Sequence, residues 1–545
     1  MWIGQKAIYW IQPTNLPGSA YAVSVGRWFI YDDSVPSPVV RLSPGRESAI
    51  MKTGFDNGKY LTIQSEHIKE RIGRFGGKLY LEFGGKLFDD YHASRVLPGF
   101  MPDSKIRMLL QMRDDVEAIV AVNSADIERN KVRGDLGITY DLEVLRLIDQ
   151  FTERGIPVAG VVLTRYTSQP AAVAFEERLK TLGIKSYRHY SIAGYPSDID
   201  RIVSDDGFGK NEFVPTTKPL VVVTAPGPGS GKMAVALSQM YGEFRRGKKA
   251  GYAKFETFPI WNIPLRHPVN IAYEAATIDL GDVNMIDPFH MEAYGKSTVN
   301  YNRDIEVFPI LNAMLEMISG TSIYKSPTDM GVNMAGYCIF DDAAVSKAST
   351  METIRRYFKC LCDNKQGLIP DETVHKFDIL LRNASIDPMS RRVIPAVREL
   401  ASKTDVAVIG IELEDGTVVT GKESPLLTAS SAMILNSLKV LSGIDDGVFL
   451  ISPDVLNPVK SLKVHYLGKE DAALHANEML VALAISAKTD SLAEKALSKL
   501  PMLSGCEVHS SFILSPTDAE LLKNLNMNVT CEPKYQKDNL YHGGN

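Results

Sequence analysis

A turn rich in glycine, Pro226-Gly-Pro-Gly-Ser-Gly-Lys-Met233, lies between the hydrophobic run Leu220 to Ala225 and a helical pattern. Glycines at this spacing let successive backbone N–H groups converge on phosphate oxygens, and a lysine at the start of the next helix supplies the opposite charge. The helix N-terminus adds partial positive charge. Gly227, Gly229, Ser230, Gly231 and Lys232 are therefore candidates to hold a phosphate group. The turn departs from the nucleotide-binding P-loop pattern G-x-x-x-x-G-K-[ST] at two places, with Pro226 at the first glycine and Met233 at the hydroxyl position. Magnesium demands oxygen ligands, which a thioether does not supply. ATP or another phosphate compound thus fits as a small-molecule ligand, while magnesium is doubtful. The competing reading is a turn that only packs strand against helix, with Lys232 solvated.

Further polar residues crowd the segments that follow. Lys254 and Arg303 are candidates to complete a phosphate clamp, and Glu256, His290 and Arg303 are weak catalytic candidates, the first two for proton transfer. A metal-dependent phosphotransfer site also needs a carboxylate at a strand end. Val283-Asn-Met-Ile-Asp287 and Gly336-Tyr-Cys-Ile-Phe-Asp-Asp342 have that shape, which makes Asp287 and Asp341 weak metal candidates. Each residue also has an ordinary role as turn former or helix cap.

These side chains need a scaffold, and the sequence predicts one. Near-continuous apolar runs at Ala118 to Val122, Val158 to Leu163 and Leu220 to Ala225 alternate with helical patterns at Leu142 to Glu153 and Ala171 to Leu182. Such runs suit parallel strands buried on both faces. The fold expected is α/β, a doubly wound, mainly parallel sheet whose carboxyl edge carries the glycine turn, as ligand sites of open sheets do. Two short echoes, Phe75-Gly-Gly-Lys-Leu79 and Phe83-Gly-Gly-Lys-Leu87, bracket one strand with tight turns. The domains expected are an α/β domain over 51–330, a mainly helical connection over 331–404 and a smaller C-terminal α/β domain over 405–535, with a hairpin turn at Glu414 to Thr417. Residues 1–50 lack sustained periodicity and read as a poorly structured extension or a mis-assigned start, and 536–545 as a fraying tail.

Composition removes other classes. The 545 residues carry a formal charge of −5, which disfavours nucleic-acid binding. No apolar run is long enough to span a bilayer. Five cysteines in no paired pattern point to a cytoplasmic protein without a disulfide framework. A homo-oligomer is compatible with everything above. Neither an H-E-x-x-H zinc motif nor a G-x-S-x-G nucleophile elbow occurs.

The segments Phe83 to Phe100, Lys131 to Tyr140, Ala225 to Met233, Asp287 to His290 and Asn300 to Asp304 closely resemble an uncharacterised bacterial family of unknown function, some of whose members are labelled ATP-dependent peptidases. The resemblance runs over roughly 51–535 and implies a cytosolic α/β protein with a smaller C-terminal part. It also implies that methionine after the loop lysine is usual, and it transfers no catalytic residue. Three functions remain: an enzyme binding a nucleotide or phosphorylated small molecule at the glycine turn, a non-catalytic sensor or assembly protein with a structural turn, and a peptidase, which the missing motifs disfavour.

Overall fold

The computed structural model describes residues 53–134, 136–468 and 472–536; the expectations for 1–50 and for the tail beyond 536 lie outside them. Seven strands form the main sheet: β1 (Leu79–Phe83), β2 (Val116–Asn123), β3 (Val158–Thr164), β4 (Ser186–Arg188), β5 (Leu220–Thr224), β6 (Gly251–Phe255) and β7 (Gly331–Val332). Their spatial order is β7-β6-β1-β5-β2-β3-β4, and each adjacent pair is parallel. Every residue of β1, β2 and β5 is buried, as central strands covered on both faces require.

The order of the strands determines where a ligand can enter. From β1 the chain moves outward through β2 and β3 to the edge at β4, then returns to insert β5 between β1 and β2. It next crosses to β6 and β7 on the other side. The connections leaving β1 and β5, which are neighbours, therefore diverge, and a crevice opens at their carboxyl ends. Both glycine turns lie there. Gly84 and Gly85 follow β1, and the Pro226 to Lys232 turn follows β5.

The helix Lys232–Arg245 is anchored at its far end by Glu243, which is 1% exposed and accepts from Lys78 Nζ at 2.6 Å and from the Tyr80 hydroxyl at 3.0 Å. Gln239 fixes its middle by exchanging hydrogen bonds with the backbone of Val214 at 2.8 and 3.0 Å. The helix start, and with it the glycine turn, is thereby held against the sheet.

A second sheet has strands β8 (Val408–Glu412), β9 (Val418–Lys422), β10 (Glu507–Ser510) and β11 (Asn528–Cys531) in the order β9-β8-β10-β11. It is antiparallel except for the β10–β11 pair and has its own hydrophobic core. The expected hairpin turn is present, with Gly416 at φ 82° and Asp415 accepting from the Thr417 N–H at 2.9 Å. Helices Asp342–Lys365, Asp371–Ala384 and Val393–Thr404 occupy the chain between the two sheets.

One expected strand is absent. Gly336 to Asp342 forms a 3-10 turn over Ala335–Cys338, and Ile339 makes only an isolated bridge to Phe55. The backbone at Gly336 lies against Asn262, where a Cβ would approach the side-chain oxygen to 1.9 Å, and a helix follows at once. The helical pattern expected from Asp471 also starts later, at Ala476, where the Glu478 carboxylate accepts from the His475 N–H at 2.9 Å. Among the described residues, no helix is long and apolar enough to cross a membrane.

The second sheet tests this packing most simply. Helix Ala429–Ser442 approaches β9 so closely that a Cβ on Gly421 would lie 2.0 Å from the Met433 nitrogen. Backbone cannot yield as a side-chain tip can, so Gly421→Ala is expected to lower unfolding free energy by about 2 kcal/mol or more in urea melts. An unchanged midpoint would contradict the packing.

Candidate functional site

The glycine turn is shaped by two residues at positive φ, Gly229 at 78° and Gly231 at 86°. Gly227 is needed for a different reason, since a Cβ there would come within 2.2 Å of the Tyr140 hydroxyl. The turn's carbonyls are tied to neighbouring strands. Thr164 Oγ1, at the end of β3, donates to the Ser230 carbonyl at 2.8 Å, and Asn123 Nδ2, at the end of β2, donates to the Gly229 carbonyl at 3.4 Å. The Ser230 hydroxyl faces inward, 1% exposed, and donates to the Gly227 carbonyl at 2.9 Å. Ser230, chosen as a phosphate ligand, thus spends its side chain on the turn itself. With the carbonyls engaged, the N–H groups of Gly229, Gly231 and Lys232 have no acceptor among the described residues.

The turn opens on a cavity of about 1070 Å³ at the carboxyl edge of the main sheet. Lys232, Lys254, Glu256 and Arg303 all line it, together with segments 84–88, 132–134 and 189–192. The structure thus brings four separately chosen residues to one site. Their electrostatic states differ sharply. Lys254 Nζ contacts both Asp304 and the Tyr301 hydroxyl closely and lies 3.0 Å from Glu256. Arg303 donates to Asp282 at 2.8 Å, with half of its side chain exposed. The Lys232 ammonium has no hydrogen bond or ion pair within 4.0 Å among the described residues. Burial lowers its pKa from the ordinary lysine value, Glu82 opposes that shift, and Lys254 and Arg303 reinforce it.

Other candidates lie elsewhere. Asp287, fully buried, caps the helix Pro288–Tyr294 by accepting from the His290 N–H at 3.0 Å, and also accepts from the Thr328 hydroxyl at 2.7 Å. His290 Nδ1 meets Ser326 Oγ at 2.8 Å. Asp341 caps helix Asp342–Lys365 by accepting from the Ala344 N–H at 3.0 Å. None of these three lines the cavity.

Several lining residues escaped sequence reasoning, notably Tyr140, Tyr273, Asp282, Tyr301, Asp304 and Arg356. Tyr301 and Asp304 carried a signal, because they share the motif Asn300 to Asp304 with Arg303 and sit one helical turn apart. Asp282 carried none, since its role follows from the distant Arg303 and Tyr273.

Residues 53–385 match the domain of unknown function DUF1846, N-terminal, and residues 389–541 match its C-terminal counterpart. The chain is 53% identical over 490 residues to a UPF0371 protein of Streptococcus thermophilus (strain CNRZ 1066), covering 90% of this chain and 99% of the relative. A UPF0371 protein of Corynebacterium diphtheriae is 55% identical over 489 residues, covering 90% and 98%. One from Clostridium botulinum is 52% identical over 501 residues, covering 90% and 100%. Their names assign no activity.

Glu256 gives the site a measurable pH signature. Burial pushes its carboxyl up to about 7, Lys254 pulls it down, and the Asp304 charge pushes it up further. Between the unfolded value of 4.5 and about 7, the folded chain holds a proton that the unfolded chain has lost. Stability from this group therefore falls as pH rises through that window. Glu256→Gln cannot titrate, so its melting temperature is expected to fall less than the parent's between about pH 5 and pH 8. Parallel profiles for variant and parent would show that Glu256 is not held this way.

Proposed function

We propose, on the premise that this chain belongs to the DUF1846 family of unknown function, that it binds a phosphorylated small molecule at the turn Gly227 to Lys232. The observation that carries the reading is a difference between neighbouring cations. Lys254 and Arg303 are neutralised by Asp304, Glu256 and Asp282, whereas the ammonium of Lys232 faces the cavity with no carboxylate within ion-pair distance among the described residues. A cation in such surroundings is costly without a counter-charge, and a phosphate meets that need. The N–H groups of Gly229, Gly231 and Lys232, together with the start of a 14-residue helix, supply further donors at the same place.

The reading differs from a magnesium-dependent nucleotide hydrolase. Met233 occupies the hydroxyl position, and Asp287 and Asp341 cap helices away from the cavity. Lys254 and Arg303 set the field around the phosphate rather than clamp it, because their charge is already balanced. Glu256, held near neutral pH beside Lys254, is the group best suited to exchange a proton with a bound ligand.

The test is calorimetry with inorganic phosphate, sugar phosphates and ATP, each with and without magnesium. At least one phosphate compound is expected to bind, and Lys232→Ala to weaken it about ten- to hundredfold, the range of a lost charge-assisted hydrogen bond. The fold should survive, since Lys232 supports no other side chain. Absence of binding by every phosphate compound, or equal affinity in parent and variant, would overturn the reading.

A further inference from the structure

The cavity has a second wall that the phosphate site leaves unexplained. Helix Asp342–Lys365 places Glu352 among arginines, and its carboxylate, 1% exposed, accepts from Arg355 Nε and Nη2 at 2.6 Å, from Arg356 Nε at 3.0 Å and from Arg95 Nε at 2.9 Å. Beside this group, the buried Lys105 pairs with the buried Asp90 at 2.7 Å. Four cations, Arg95, Lys105, Arg355 and Arg356, thus share two carboxylates, leaving an excess of two positive charges. Glu507 acts on Arg355 from farther away, but it is already paired with Arg391 at 2.7 Å. The three arginine side chains are half-buried, 19–32% exposed, and an unbalanced charge in such surroundings is costly, so the excess calls for an anion.

His92 indicates where that anion would sit. His92 Nδ1 lies 3.1 Å from Arg356 Nη2, which can only donate, and 3.5 Å from Glu352 Oε1, which can only accept; the shorter contact puts the ring proton on Nε2. That Nε2–H is buried and has no acceptor among the described residues. Burial, reinforced by the charge on Arg356, lowers the ring to about 4 despite Glu352 and Asp90, so the neutral tautomer holds at physiological pH. His92, Arg356 and Lys105 line the same cavity as Lys232.

We propose that this wall is a second anion subsite, and that the ligand carries, besides the phosphate at Gly227 to Lys232, a second phosphate or a carboxylate that accepts from His92 Nε2 and is balanced by Arg356. The proposal rests on the phosphate reading of the glycine turn. It makes the substrate class a small molecule with two acidic ends, one of them a phosphate ester.

Three series of probes test it by calorimetry on the full chain: alkyl monophosphates, α,ω-alkanediol bisphosphates and ω-carboxyalkyl phosphates, each spanning two to eight carbons so that no particular spacing is assumed. At its best length, one of the two-ended series is expected to bind at least about tenfold tighter than the monophosphate of equal length. Which series gains identifies the second group as phosphate or carboxylate. Arg356→Gln and His92→Phe, the second included because the first alters the Glu352 cluster, should each abolish that gain and leave inorganic phosphate affinity within about twofold. The second subsite is overturned if neither two-ended series gains over the monophosphates, or if the gain survives in both variants. Failure of the glycine-turn reading looks different, because inorganic phosphate affinity would then be unchanged by Lys232→Ala.

Discussion

The ammonium of Lys232 stands at the cavity wall with no carboxylate within ion-pair distance among the described residues, Glu82 acting on it only from farther away, and much of the surrounding architecture serves to keep it there. It opens a helix whose far end is fixed by Glu243 to Lys78 and Tyr80. The turn before it cannot swing out, because its carbonyls are held by Thr164 and Asn123 from the ends of two neighbouring strands. Those tethers exist only because β5 is inserted beside β2, with β3 next in line. A sheet order decided by packing of apolar strands thus determines which backbone groups are free to meet a ligand.

Other charges of the cavity are divided by the same cost of burial. Lys254 sits among Asp304, Glu256 and Tyr301, and Arg303 leans on Asp282, so that side of the cavity is close to electrically balanced. The wall lined by Lys105 and Arg356, with Arg95 and Arg355 sharing Glu352 behind it, is not balanced. Low-dielectric surroundings amplify both situations. A ligand with negative charge at two places would resolve what the protein's own side chains leave unpaired.

Much of this scaffold was legible in the sequence. The runs that became β2, β3 and β5 were continuous apolar segments, which parallel burial on both faces demands and which helices rarely imitate at that length. The glycine turn was legible because positive φ and close approach restrict residue choice, as Gly229, Gly231 and Gly227 show. Strand order was not legible, since pairing partners lie far apart in the chain and apolar strands are nearly interchangeable. Asp287 and Asp341 show a different limit. A carboxylate after an apolar run reads equally as metal ligand or helix cap, and only the neighbouring N–H groups of His290 and Ala344 decide between them. The strand expected at Gly336 to Asp342 failed because hydrophobicity alone does not provide a pairing partner, and among the described residues Phe55 alone bridges to it.

The central claim is that the Gly227 to Lys232 turn is an anion seat, and a crystal soaked in tungstate addresses it most directly. Tungstate mimics phosphate in shape and charge, and its anomalous scattering marks its position without interpretation of weak density. The account predicts a tungsten peak within hydrogen-bond reach of the Gly229, Gly231 and Lys232 N–H groups and of Lys232 Nζ. A vacant turn in a crystal with tungstate bound elsewhere in the cavity, or no peak in the cavity at saturating tungstate, would contradict it.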